Sequence, residues 1–253
     1  GQDRARAMLA LDVAGVTTAF CCCHVAARRW LCAWPQVAQL ERKDQEQMAN
    51  RLMLFIAPPS IAALSLVFLF SRGVGDMALR WATAQGPVTT GEWAGRVVVG
   101  FNLYELIFYY AFGKEAAFWL HHLVTLAVCF NWLVLRTASF WGCAVLLMEM
   151  TTPCLVATRM MKESGWTKEP LYKLAVSVSW LCWIAIRLCW IMGLIYLYAL
   201  DLRTGLPKHV PRYFALMNGI SVLGLFVLSC VWFVPITRIF VKVVTGAKVE
   251  RTS

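Results

Sequence analysis

A chain of 253 residues that is 60% hydrophobic and 15% charged is too apolar for a soluble domain, in which about a quarter of the residues carry charge. Long apolar runs recur from end to end without the alternation that a membrane β-barrel needs, so the expected class is an all-α, polytopic membrane helical bundle. The net charge of +10 is explained by lysines and arginines in short loops, and no strong nucleic-acid-binding motif accompanies it.

One hydrocarbon crossing takes about 20 predominantly apolar residues. That length predicts about seven spans: Met8–Ala27, Arg51–Phe70, Trp93–Phe112, Ala116–Leu135, Ser139–Met160, Lys173–Leu200 and Tyr213–Phe240. The first carries Asp12 and ends at His24, and Arg4 and Arg6 precede it as in the n-region of a signal peptide. A signal-anchor span is the preferred reading. The expected organisation is an N-terminal span and loop over 1–41, a transmembrane domain over 42–248 and a short tail over 249–253.

Orientation follows from basic residues near the span ends. Fourteen lysines and arginines, among them Arg28, Arg42, Arg51, Lys114, Arg159, Lys173 and Lys248, collect on one side, against nine, among them Arg72, Arg80, Arg136 and Arg212, on the other. The richer side is assigned to the cytosol, which makes the C-terminus cytosolic.

Most of the ten cysteines lie within spans, where a thiol behaves as a small hydrophobe. The run Cys21-Cys22-Cys23-His24 invites a zinc reading, but consecutive helical residues point in different directions and cannot close a tetrahedral site by themselves. Packing or lipidation suits the run better. No resident metal or cofactor is expected.

The fourth span carries two adjacent histidines, His121 and His122, in an otherwise apolar stretch. The connection over Phe112–Glu115 is so short that spans three and four form an antiparallel hairpin. Counting from that turn puts Glu105 level with both histidines, roughly 10 Å below the membrane edge. Glu149 of the fifth span falls level with Thr125, and Arg187 lies near the middle of the sixth. Asn102, Asn131 and Asn218 add neutral polar groups. Each ionisable group at the bilayer centre costs roughly 2.5–3.5 kcal/mol, so such residues turn inward and pair. The set is read either as one polar chamber or as ties between helices.

Several chemistries drop out. Four histidines in all are too few for a di-iron desaturase site, no lysine sits mid-span for a retinal Schiff base, and no phosphate-binding glycine loop or serine elbow is present. Two histidines beside carboxylates suit acyl transfer, with imidazole attacking a thioester and a second base handling the acceptor's proton. Acyl-CoA is the candidate substrate.

The runs His121–Thr125 (HHLVT), Tyr104–Leu106 (YEL) and Glu149–Pro153 (EMTTP) together resemble the TLC-domain family, which includes the ceramide synthases. Ala49–Leu52 (ANRL), Arg187 and the closing VWF…VKVVTGAK add to the resemblance, which covers roughly Arg42 to Lys248. Ceramide synthases carry His-Asp and then a further Asp where this chain has Met148-Glu149 and Thr152, and the form here resembles the non-synthase branch. That branch commonly has Asn shortly after the proline, where this chain has Val156 and Ala157.

The resemblance implies a six-helix core around a central cavity and a role in membrane lipid metabolism or homeostasis. It also implies residence in the endoplasmic reticulum or another endomembrane, with the plasma membrane still open. It assigns acyl handling to His121 and His122, with Glu149 orienting or deprotonating and Glu105 setting the tautomer. Thr125, Asn102 and Asn218 support the chamber, Pro153 kinks the fifth span, and Arg187 pairs Glu149 or holds an anionic head group. Two readings follow: an acyl-CoA-dependent lipid acyltransferase, or a non-enzymatic lipid-sensing, scaffolding or trafficking protein. Membrane lipids are the expected partners, a homodimer is left open, and a seven-span receptor or transporter is a third, weaker reading.

Overall fold

The computed structural model describes residues 2–72, 76–84, 87–112 and 116–246, without the side chains of 2–4, 72 and 117. The expected turn over 113–115 and the tail from 247 onward lie outside the described residues, together with Lys114 and Lys248. The chain is an all-helical membrane bundle. Seven long helices follow in order: α1 Gln2–Cys32, α2 Arg42–Arg72, α3 Thr90–Phe112, α4 Ala116–Leu135, α5 Ser139–Glu163, α6 Pro170–Thr204 and α7 Arg212–Thr245. Among the described residues six of these, all but α3, are long and apolar enough to cross a membrane.

The exception has a physical reason. The 23 residues of α3 include Glu92, Arg96 and Glu105, and helices α1, α2, α4 and α5 all pack against it. Thirteen of its residues are buried, so its polar groups meet protein rather than lipid. The outer helices do the reverse. On α6 and α7, Leu171, Leu174, Leu181, Leu216, Ile220 and Val231 are exposed, the surface expected of a helix solvated by acyl chains.

Helix ends follow local chemistry. Pro170 starts α6 at the position where a missing N–H costs nothing. Gly205 ends it and Gly246 ends α7, each at positive φ, which glycine adopts without strain. Two long helices are irregular inside. In α5 the α-helix stops at Leu146, runs as a 3₁₀ turn over Leu147–Met150 and resumes at Thr151. Pro153 accounts for this: it has no N–H for the Glu149 carbonyl, and its ring collides with that carbonyl in a regular α-helix. In α6 the segment Trp183–Trp190 is π-helical, a rare form that is frequent at functional sites.

The first helix packs as part of the bundle. Thr17 donates to the Gly100 carbonyl at 3.2 Å, Arg96 donates to Asp12 at 2.6 Å, and a Cβ on Gly100 would sit 2.5 Å from Val16. His24 bridges Tyr104 at 2.6 Å and Glu46 at 2.7 Å, so both ring nitrogens are engaged inside the protein. All ten cysteines are free thiols.

One end of the bundle is sealed by aromatic packing and ion pairs. Trp81, Trp141 and Tyr198 form a ring cluster, with Trp141 and Tyr198 at 4.9 Å. Buried Arg80 donates to Asp201 at 2.5 and 3.0 Å, and the Trp81 indole donates to the same carboxylate at 2.8 Å. Arg136, in the α4–α5 turn, donates to Glu92 at 2.5 Å, a bond that holds its guanidinium pKa above the ordinary value.

Candidate functional site

The opposite end holds a cavity of about 350 Å³, lined by residues from α2 through α7. Polar groups come from Gln47, Asn50 and Arg51 of α2, Asn102, Glu105 and Tyr109 of α3, His121 and His122 of α4, and Glu149, Thr152 and Arg159 of α5. Arg187 and Trp183 of α6 and Trp232, Pro235 and Ile236 of α7 complete the wall. Six residues separate His122 from the first residue of α4, so the ring lies about 9 Å in along that helix.

Asn102 sets the state of His122. The amide Nδ2 of Asn102 donates to the Val98 carbonyl at 2.7 Å, which leaves Oδ1 as an acceptor 2.5 Å from His122 Nδ1. A neutral His122 therefore carries its proton on Nδ1 and a lone pair on Nε2. Nε2 stands 3.9 Å from Glu105 Oε2, beyond hydrogen-bond reach, and is open to the cavity. Glu105 is completely buried on the same helix as Tyr109, whose ring packs 5.2 Å from that of His122. The tautomer-setting role expected of Glu105 thus falls to Asn102, with Glu105 at the other nitrogen.

His121 is packed edge-on against His122 at 5.2 Å and against Trp232 at 6.1 Å. Its Nδ1 is sealed from the cavity and has no hydrogen-bond partner among the described residues. On α5, Thr152 donates to Glu149 at 3.2 Å and both are in the lining, Glu149 from within the 3₁₀ turn and Thr152 from two residues past it. Arg187 donates from Nε to Thr151 at 3.0 Å, and its guanidinium lies over the Trp183 ring at 5.0 Å. Among the described residues no ion pair within 4 Å joins Arg187 to Glu149, the pairing expected from their depths. At the mouth, Arg51 of α2 forms a two-pronged ion pair with Glu163, and Arg159 donates to the same carboxylate at 3.0 Å.

Six of the expected residues therefore meet around one cavity: His121, His122, Glu149, Glu105, Asn102 and Arg187. Pro153 acts through the backbone beside them. Thr125 spends its hydroxyl on the His121 carbonyl at 2.8 Å and is not in the lining. Asn218 is not brought to the site, since it sits 14 residues before Trp232 on α7, about 21 Å along the helix. Tyr109, Trp183 and Arg159 carry no motif of their own, whereas Arg51 and Trp232 fall inside the ANRL and VWF runs, which by themselves name no place at the site.

The sequence model of the TLC domain matches residues 47–238, more than half of the chain. A comparison with individually characterised proteins finds no match.

Proposed function

Because the chain belongs to the TLC-domain family, we propose that this membrane protein acts in lipid metabolism as an acyltransferase, moving an acyl group from acyl-CoA to a lipid amine or hydroxyl. The observation that carries the reading is the fixed tautomer of His122. Its Nδ1–H is held by Asn102 at 2.5 Å, so Nε2 presents a lone pair in a cavity that also contains a second histidine and two carboxylates. A neutral imidazole is a competent nucleophile toward a thioester without prior deprotonation.

In the reaction Nε2 bonds to the acyl carbon as the C–S bond breaks and the thiolate leaves. The acceptor's nitrogen or oxygen then attacks the acyl-imidazolium, its proton passes to a carboxylate or to His121, and Nε2 is released. Glu149, in the lining with Thr152 on it, is the group assigned to that proton. The Lys and Arg bias supports a mouth on the cytosolic side, where acyl-CoA is found, with its nucleotide remaining in water near Arg51 and Arg159. An endomembrane location fits the same substrate.

One observation favours a non-enzymatic lipid-binding role instead. His122, Glu149 and Arg187 each make a hydrogen bond that ties one part of the bundle to another or to itself. The deciding experiment supplies labelled long-chain acyl-CoA and mixed lipid acceptors to membranes containing the chain or its His122→Gln variant at matched folded protein. A labelled lipid made by the parent and lost in the variant supports acyl transfer. Absence of product across acyl lengths, with folding verified, sinks it in favour of the binding role.

A further inference from the structure

Arg187 is 5% exposed and sits among helices, yet no carboxylate closes on it within 4 Å among the described residues. Its Nε is spent on Thr151 and its flat face on Trp183. The two terminal amino groups make no hydrogen bond among the described residues and open onto the cavity. The buried arginine of the opposite end is different: Arg80 is fully engaged with Asp201. The mouth arginines differ as well, since Glu163 is shared between them. The charge of Glu149, in the same lining, reaches Arg187 through space with no hydrogen bond between them. The terminal donors of Arg187 are therefore unmet, which is costly in a membrane interior unless a ligand meets them. The π-helical segment Trp183–Trp190 holds this residue against the cavity, a local irregularity with no other evident purpose in α6.

We propose that Arg187 is the anion-binding arm of the cavity and holds a phosphate or carboxylate in a two-pronged hydrogen bond. The planar fork of a guanidinium matches both groups, and a cavity of about 350 Å³ admits one such group with part of a single acyl chain. The site stands whether or not the histidines carry acyl chemistry.

The test uses the purified full chain in detergent micelles and reads binding from thermal stabilisation, with no acyl-CoA present. The probes are lysophosphatidic acid, a free fatty acid and a neutral monoacylglycerol of one chain length, and inorganic phosphate. Both anionic lipids should bind about ten- to a hundredfold more tightly than the neutral one. Arg187→Gln should erase that preference and Arg187→Lys should keep part of it. Stabilisation by inorganic phosphate alone identifies a free anion as the ligand, and stabilisation that needs the acyl chain identifies a lipid head group.

Equal binding of the neutral lipid overturns the proposal. So does a preference that survives Arg187→Gln, which would move the anion to the mouth arginines. If Arg187→Gln does not fold, Glu149→Gln provides the reading: it removes a negative charge from the lining and should tighten anion binding, and unchanged affinity counts against the site. Because turnover plays no part, failure here leaves acyl transfer standing, and a failed acyl-transfer assay leaves the anion site standing.

Discussion

Replacing Asn102 with leucine, a residue of similar volume, removes the oxygen that accepts from His122 Nδ1 at 2.5 Å. The imidazole then has a buried donor without a partner on that side. Stranding such a donor costs about 1–3 kcal/mol, and 1.4 kcal/mol is a factor of ten. The population of His122 with its lone pair on Nε2 should therefore fall about five- to a hundredfold relative to the other tautomer. An aspartate at the same position can still accept from Nδ1–H and should hold the tautomer. With four histidines in the chain, ¹⁵N spectra of histidine-labelled protein are tractable, and His122 is assigned by the signal lost in His122→Gln. The parent should show an unprotonated Nε2 and Asn102→Leu a mixture, while acyl transfer drops by a similar factor. A parent spectrum with the proton on Nε2 would refute the reasoning, because it would mean that the Asn102 amide presents its NH₂ to the ring.

Three other outcomes are expected. Asp201→Ala takes from buried Arg80 the carboxylate that it is paired with and should lower stability by about 3–5 kcal/mol, read as a fall in Tm; a change within error would show that water reaches this end of the bundle. Gly100→Ala puts a Cβ 2.5 Å from Val16 and should cost about 1–3 kcal/mol. Val16→Ala removes the Cγ1 but keeps a Cβ 2.8 Å away, so partial rescue in the double variant would tie the cost to the α1–α3 contact, and strictly additive losses would break that link. Pro153→Ala permits a regular α-helix through Leu147–Met150 in place of the 3₁₀ turn. At about 100° per α-residue against 120° per 3₁₀-residue, four residues rotate Glu149 relative to the rest of α5 by up to about 80°. Lipid turnover should fall while Tm holds, and full activity would show that the turn is not what aims Glu149.

The histidine pair and its neighbours were legible because burial of ionisable groups in an apolar chain is costly enough to be conspicuous. Depth counting from short turns brought Glu105 beside His122, since a straight helix keeps its rise per residue. The same counting could not decide azimuth. By depth Arg187 lies somewhat below Glu149 and within reach of a tie, yet Glu149 lies in a 3₁₀ turn and Arg187 in a π-helical segment, and each irregularity rotates the side chain away from where an α-helix would put it. Asn218 lies apart for another reason: its polarity carries no information on distance, and 14 positions along α7 divide it from Trp232. The exchange between Glu105 and Asn102 as partners of Nδ1 depends on ring rotation, about which spacing is silent. Trp183 and Trp232 were invisible as cavity walls because a tryptophan in a span reads equally well as packing or as an interfacial anchor.

The polarity of α3 also bears on how the protein is made. Arg96 and Glu105 each oppose entry of that helix into lipid by roughly 2.5–3.5 kcal/mol. Their partners lie in different parts of the chain: Asp12, on α1, emerges from the ribosome earlier, and His122, on α4, follows shortly after. Insertion of α3 is therefore a cooperative step that waits for α4 as its hairpin mate. A nascent chain halted between the two would hold α3, with its buried charges unmatched, at the membrane surface, where quality-control machinery can find it.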